Sequence, residues 1–211
     1  LLIKISNQNL INNLITENLF ILIISIISIC AIINFTNFMD GIDGLVASCM
    51  TIGIFSIAIA QDLPISIFTL IGSLLAFLTF NWAPSKIFMG DSGSTFLGLI
   101  FSGLLLNSIN INQLFSYMLC MTPLFGDALF CIIHRLMKKE NIFKPHKKHL
   151  YQKLVRSGWS HKDTTIIYTL STLFLWLASF IYGLDVLIVL SLITLSIGFI
   201  LNKKINLKLD Y

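Results

Sequence analysis

Three polar clusters interrupt an otherwise apolar chain, and their residue types suit phosphate and metal chemistry. The first is Asn34-Phe-Thr-Asn37-Phe-Met-Asp40-Gly-Ile-Asp43-Gly44-Leu. On a helix Asn34, Asn37 and Asp40 recur every third residue and share a face. Two amides and two carboxylates supply the hard oxygen donors that Mg²⁺ takes, above all when a phosphate completes its shell. The plainer reading is a helix C-cap with a polar loop. The second cluster is Asn81-Trp-Ala-Pro84-Ser-Lys86-Ile-Phe88-Met-Gly90-Asp91-Ser92-Gly93-Ser94. Here Asp91 is the natural metal ligand, Lys86 a phosphate partner and Phe88 a ring that could stack on a base. Ser92 or Ser94 would cap the helix that follows, whose N-terminus favours an anion. An ordinary capped turn is the alternative.

The third cluster is the loop from Arg135 to Asp163, with nine basic residues and three of the four histidines. Its core, His146-Lys147-Lys148-His149-Leu-Tyr151-Gln152, concentrates donors for a phosphate-rich ligand. As a charge run alone it reads as a solvated loop. His146 and His149 have a spacing open to zinc. No cysteine or third histidine lies at finger spacing, however, so zinc is not expected. Asp127 falls inside an apolar run, where an acid is a functional candidate by default or else half of a buried ion pair.

The elements that carry these clusters follow from composition. Of 211 residues, 56% are hydrophobic and only 11% charged. Soluble domains carry about 25% charge, and disordered chains are poor in apolar residues. The chain is therefore expected to be all-α, a polytopic membrane helix bundle. Charge-free intervals long enough for a helix of roughly 20 residues predict seven spans, at about 19–37, 44–60, 64–82, 93–107, 113–134, 164–183 and 186–202. A β-barrel does not fit, because its strands alternate apolar and polar residues. Residues 4–18 read as an Asn-rich loop. The whole of 1–211 reads as one transmembrane catalytic domain.

Lysine and arginine orient the bundle. With 38–43 in the cytoplasm, 13 of the 14 basic residues fall on that side and only Lys4 lies outside. Cytoplasmic loops are then expected at about 38–43, 84–93 and 135–163. The net charge of +4 comes from these loops and suits anionic headgroups or phosphates, not nucleic acid. The four cysteines, Cys30, Cys49, Cys120 and Cys131, form no CxxC pair and read as buried free thiols.

Together the segments 34–45 and 86–94 resemble the signatures of the polyprenyl-phosphate N-acetylhexosamine-1-phosphate transferases, glycosyltransferase family 4. The resemblance covers nearly the whole chain from about residue 20. It implies transfer of a sugar-1-phosphate from a UDP-N-acetylhexosamine-type donor to polyprenyl (undecaprenyl) phosphate, releasing UMP, on the cytoplasmic face of the bacterial inner membrane. It implies Mg²⁺, with Mn²⁺ as the alternative ion, held by Asn37 and Asp91. Asp40 and Asp43 would support the metal and nucleotide end, and Phe88 would lie against the uracil. Asn34, Lys86, Arg135, His146, Lys147 and Lys148 are the further substrate-binding candidates. The family's third motif is commonly DRxHxHH. Here His149 keeps its central histidine and, with Asp40, Asp43 and Asp91, is implied as a catalytic residue that recognises the donor's phosphates and sugar, while His146, Tyr151 and Gln152 replace the flanking aspartate and the last two histidines. That form is similar to O-antigen-type members, which implies a role in lipopolysaccharide or another envelope glycan. Family members have about ten or eleven spans and an Asp-Asp pair on an earlier cytoplasmic loop. The chain, which starts at Leu1, is accordingly expected to be the C-terminal part of such a protein. A homodimer is a further expectation.

A secondary transporter is the competing reading, since such proteins use intramembrane polar residues and broken helices. The acids here lie mostly at span ends and no repeat is visible, which favours the enzyme over it and over a non-catalytic subunit. Topology is directly testable. Lys139→Cys or Lys162→Cys, in a background freed of native cysteines, should resist an impermeant thiol reagent applied to intact cells. Labelling of either would overturn the orientation.

Overall fold

The computed structural model describes residues 18–141, 144 and 146–209, with side chains through residue 206. Lys4, the expected loop at 4–18 apart from Asn18, and the Lys208 side chain lie outside the described residues. Among the described residues only helices form: α1 Leu19–Met39, α2 Leu45–Ala60, α3 Ile65–Asn81, α4 Gly90–Leu106, α5 Ile111–Cys120, α6 Thr122–Met137, α7 Leu150–Arg156 and α8 His161–Leu209. By length and composition α1 and α8 can each cross a bilayer, and α5 with α6 makes a third such stretch, bent by 82°. The helices α2, α3 and α4 are apolar but only 16, 17 and 17 residues long. This is the all-α membrane bundle that the composition demanded.

One of the expected spans takes a different form. The fifth, read as one helix over 113–134, is broken at Met121 between α5 and α6. Pro123 stands in the first turn of α6. Its nitrogen has no hydrogen to donate, so the helix cannot run through it. The sixth and seventh spans are the two limbs of α8, interrupted at Gly183, where φ is 77° and ψ −171°. A residue with a Cβ reaches that backbone only with strain. The limbs fold back on each other. Cys120 Sγ lies 3.7 Å from Ser179 Oγ, while Ser191 Oγ donates to the neighbouring Leu119 carbonyl at 3.4 Å. On a straight helix residues 179 and 191 would be about 18 Å apart. The helix α7 is also new, lying inside what reads in sequence as a loop.

The centre of the bundle is α2, buried on nearly every side from Leu45 to Ala58. By contrast α1 and α8 turn Ile23, Ile27, Leu192 and Ile193 outward. In a bilayer that costs nothing, because lipid tails are as apolar as leucine. Cys30 is on such an exposed face, against the expectation of four buried thiols; Cys49, Cys120 and Cys131 are buried.

One close approach positions the polar end. A Cβ on Gly98 of α4 would meet Ile33 Cα of α1 at 2.8 Å and Thr36 Oγ1 at 3.1 Å. Only glycine lets these two backbones pack so tightly. One turn along α4 lies Ser94, and beside Thr36 lies Asn37, so this contact sets the distance between the first two polar clusters. Gly98→Ala should force α1 from α4 at a cost of about 1–3 kcal/mol, the usual range for overpacking. It should lower the thermal unfolding midpoint in detergent. An unchanged midpoint would show that the two helices part freely.

Candidate active site

The first two clusters meet through side chains on α1 and α4. Asn37 Nδ2 donates to Asp91 Oδ1 at 3.1 Å and to Ser94 Oγ at 3.0 Å. Beside them, burial raises the Asp40 carboxyl to about 6, and the Asp91 charge pushes it further the same way. A cation beside Asp40 would offset both causes that raise its carboxyl. The oxygen donors Asn37, Asp40 and Asp91 are of the type a hard divalent ion takes.

A second junction runs alongside. Asp43 Oδ1 accepts from Ser85 Oγ at 2.8 Å, and Oδ2 accepts from the Ser85 N–H at 3.3 Å and lies 3.2 Å from His161 Nδ1. Burial works to raise this carboxyl, but the bonds from Ser85 and His161 outweigh it and hold it below the usual range. The Asp43 carbonyl accepts from Thr165 Oγ1 at 2.7 Å. Asn81, almost fully buried, accepts from the Gly44 N–H at 3.1 Å and donates to the Ile87 carbonyl at 2.9 Å. One amide thus spans both clusters.

The third cluster is held from below by Asp127. Its buried carboxylate accepts from the N–H groups of Leu150 at 2.8 Å and Tyr151 at 3.2 Å, and from Tyr168 Oη at 2.8 Å. An acid from α6 therefore caps α7, satisfying donors that a helix start leaves open. Among the described residues, no lysine or arginine forms a salt bridge with Asp127. Tyr151 carries the link onward: its Oη donates to the Phe38 carbonyl at 3.0 Å and accepts from Gln152 Nε2 at 3.1 Å. The loop sits directly against the end of α1.

Several candidates take places that sequence does not show. Arg135 is 3% exposed; its guanidinium donates to Glu140 at 3.3 Å and to the Lys144 carbonyl at 3.1 Å, as well as to the Asn141 carbonyl. It shapes the loop from inside. Lys148 Nζ binds both Glu140 oxygens at 2.6 Å. His149 is 3% exposed, with the rings of His146 and Tyr151 at 5.0 and 5.8 Å. Burial, with the Arg135 charge adding to it, pushes both histidines down to about 4. Asn34 turns back to the Cys30 carbonyl of its own helix at 2.7 Å. Lys86, Phe88 and Lys147 are exposed on the polar end. Cys131 of α6 comes to the histidine pair, so that the ligand atoms of Cys131, His146 and His149 lie within 4.8 Å of one another. Finger spacing is not needed when a helix supplies the sulfur.

Sequence reasoning missed Ser85, His161, Thr165 and Tyr168. Ser85 stood within the second cluster, where a hydroxyl two residues ahead of Ile87 was a weak signal. From α8, His161 and Thr165 meet Asp43 and Tyr168 meets Asp127, and none of the three carries a local signature. An apolar cavity of about 1100 Å³ lies between α5, α6 and both limbs of α8, lined by Phe130, Phe174 and Leu195, with Asp127 and Leu150 on its wall.

A family model described as glycosyl transferase family 4 matches residues 2–109. A stretch of 147 residues is 35% identical to a probable undecaprenyl-phosphate N-acetylglucosaminyl 1-phosphate transferase of Bacillus subtilis (strain 168), covering 67% of this chain and 39% of that protein. Similarity extends over 158 residues, at 28% identity, to a decaprenyl-phosphate N-acetylglucosaminephosphotransferase of Mycobacterium leprae, covering 64% of this chain and 38% of that protein. A phospho-N-acetylmuramoyl-pentapeptide-transferase of Carboxydothermus hydrogenoformans is 33% identical over 116 residues, 54% of this chain and 34% of that protein. The chain thus spans between a third and two fifths of the length of these relatives.

The Asp127 contacts generate a stability prediction. Asp127→Ala leaves two backbone donors and one hydroxyl without an acceptor, which should cost at least about 3 kcal/mol, roughly one for each orphaned donor. Asp127→Asn keeps one acceptor oxygen and should cost less. Thermal unfolding in detergent and tryptic cleavage at Lys138, Lys139 and Lys144 read the effect. If Asp127→Ala keeps both the wild-type midpoint and the protected loop, the cap is not what holds α7.

Proposed function

The chain belongs to glycosyl transferase family 4, and on that premise we propose that it transfers an N-acetylhexosamine-1-phosphate from a UDP-sugar to a polyprenyl phosphate. The reaction would run at the cytoplasmic face of a bacterial plasma membrane and serve envelope glycan synthesis. The observation that carries this reading is the contact of Asn37 with Asp91 and Ser94. It joins the two signature segments into one oxygen-rich end, with Asp40 beside it.

In this reading an oxygen of the acceptor phosphate attacks the sugar-bearing phosphorus, and the bond to the UMP oxygen breaks. Such transfers depend mainly on positioning and charge neutralisation. A bound Mg²⁺ or Mn²⁺ would supply Lewis-acid stabilisation of the diphosphate. Asn37 and Asp91 would hold the ion, with Asp40 adding negative charge. Asp43, fixed by Ser85 and His161, holds the loop after α1 against the segment that carries Lys86. Lys86 is free to meet a phosphate, and Phe88, 76% exposed, offers a ring face to the uracil. Lys147 and Lys148 add positive potential toward the donor. Buried Arg135, and His149 against α7, position this loop; they do not meet the donor directly. His146, Tyr151 and Gln152 depart from the common third motif, so sugar choice, including an O-antigen-type donor, is assigned to that loop. The cavity beside Asp127 suits the polyprenyl tail, because the tail must stay in an apolar medium while its phosphate reaches the polar end.

Membranes carrying the full-length protein, given Mg²⁺, undecaprenyl phosphate and UDP-N-acetylglucosamine or a related UDP-sugar, should release UMP. Asp91→Asn should lower turnover by about 10²–10³-fold or more, the scale for losing a positioned electrostatic group, with the detergent unfolding midpoint unchanged. Activity of the Asp91→Asn variant within a few-fold of wild type would sink the assignment.

A further inference from the structure

We propose that Cys131, His146 and His149 form a second metal site, for a cation of the zinc class, distinct from the oxygen-rich end at Asp91. It is independent of the transfer reaction proposed above, because it rests on donor chemistry and geometry alone. One sulfur and two imidazole nitrogens make a borderline-soft set that suits Zn²⁺ and not Mg²⁺ or Ca²⁺. The three ligand atoms lie within 4.8 Å of one another. Cys131 Sγ is 4.0 Å from His146 Nδ1. Around a tetrahedral zinc, with Zn–S near 2.3 Å and Zn–N near 2.0 Å, that separation would be about 3.6 Å. Closing that pair needs about half an ångström, and closing the widest separation of 4.8 Å up to about 1.5 Å, within the reach of side-chain rotation.

A second observation points the same way. His149 is 3% exposed, yet its Nδ1 has no hydrogen-bond partner. Buried polar atoms are rarely left so. The nitrogen lies 3.9 Å from Asp127 Oδ1, too far for a hydrogen bond. Ligation through Nε2 would leave an Nδ1–H facing that carboxylate. This is the carboxylate–histidine–metal arrangement that orients a ligating ring and raises its basicity. Asp127 and Cys131 stand four residues apart on α6, so both reach the same side of the ring.

Electrostatics permits the ion. The nearby cations Arg135 and Lys148 are both bound to Glu140. Lys153 donates to Asn202 Oδ1 at 2.7 Å, and Asp127 sets a carboxylate against the site. On binding, the Cys131 thiol loses its proton to solvent and the thiolate joins the metal. His146 is the partly exposed member and gives the ion its way in. Three protein ligands leave a fourth position, filled by water. The bound ion would tie the 138–149 loop to α6, adding to the Asp127 cap.

The test is titration of the purified, chelator-stripped protein with Co²⁺, then competition with Zn²⁺. One Co²⁺ per chain should bind with a thiolate-to-metal charge-transfer band, and Zn²⁺ should displace it while excess Mg²⁺ does not. Cys131→Ser should abolish the band. His146→Ala, at the exposed ligand, should weaken affinity by about 100-fold or more, beyond the loss seen for outer-shell changes. Cys49→Ser, in α2, should bind as wild type. Each variant is checked for an unchanged unfolding midpoint without metal, and Zn²⁺ should raise the midpoint of wild type and Cys49→Ser but not of Cys131→Ser. Absence of stoichiometric binding in the wild type overturns the site. So does a band that persists in Cys131→Ser, or weak binding that neither variant alters.

Discussion

A carboxylate in an apolar bundle must find donors or lose its charge, and Asp127 collects three. Two are the first N–H groups of α7 and one is the hydroxyl of Tyr168 on α8. Taking an ionised group out of water costs several kcal/mol unless it is bonded in this way. The requirement works in both directions. It forces a short helix to start where Asp127 can cap it, in a segment whose own sequence is basic and loop-like. Once α7 is placed, Tyr151 reaches the Phe38 carbonyl and the loop closes on the end of α1. The third polar cluster thus depends on an acid 23 residues earlier in the chain.

The other two clusters come together by a different route. Gly98 brings α4 against α1, and the geometry that follows puts Asp91 and Ser94 opposite Asn37. Asn81 and Asp43 then stitch the loop after α1 to the loop before α4. These bonds lie at one end of the bundle, where helices stop and backbone groups need partners. Chemistry and structural need coincide there. The polar residues that finish the helices are also those that can meet a phosphate or a cation.

The site separates two kinds of donor. Around Asp91 the atoms are oxygens, and the charges of Asp40 and Asp91 oppose each other. Around His149 they are nitrogen and sulfur, held beneath the basic loop. Arg135, Glu140 and Lys148 form the boundary; their charges are spent mainly on one another and on loop carbonyls. A loop with nine basic residues therefore presents fewer free cations than its composition suggests. Lys86 and Lys147 are exposed at this end of the bundle.

Composition and charge spacing alone determined the class of the protein. Charge-free runs mark helices in a membrane because water-loving side chains are excluded from its core, a rule that needs no tertiary contact. The clusters at 34–45 and 86–94 were legible for a similar reason, since acids, amides and glycines gathered at helix ends have few structural uses. Pro123 and Gly183 were local signals too; Pro123 breaks a helix where charge spacing alone placed a continuous one, and Gly183 lies at the boundary that spacing placed between two spans. What sequence could not show was partnership. Ser85 and His161 meet Asp43 across 42 and 118 positions, Tyr168 meets Asp127 across 41, and Cys131 meets His146 across 15. Such pairings have no period or spacing to betray them. They exist only because helices pack at particular crossings, and only the packed bundle decides whether an arginine faces a substrate or, like Arg135, the inside of its own loop.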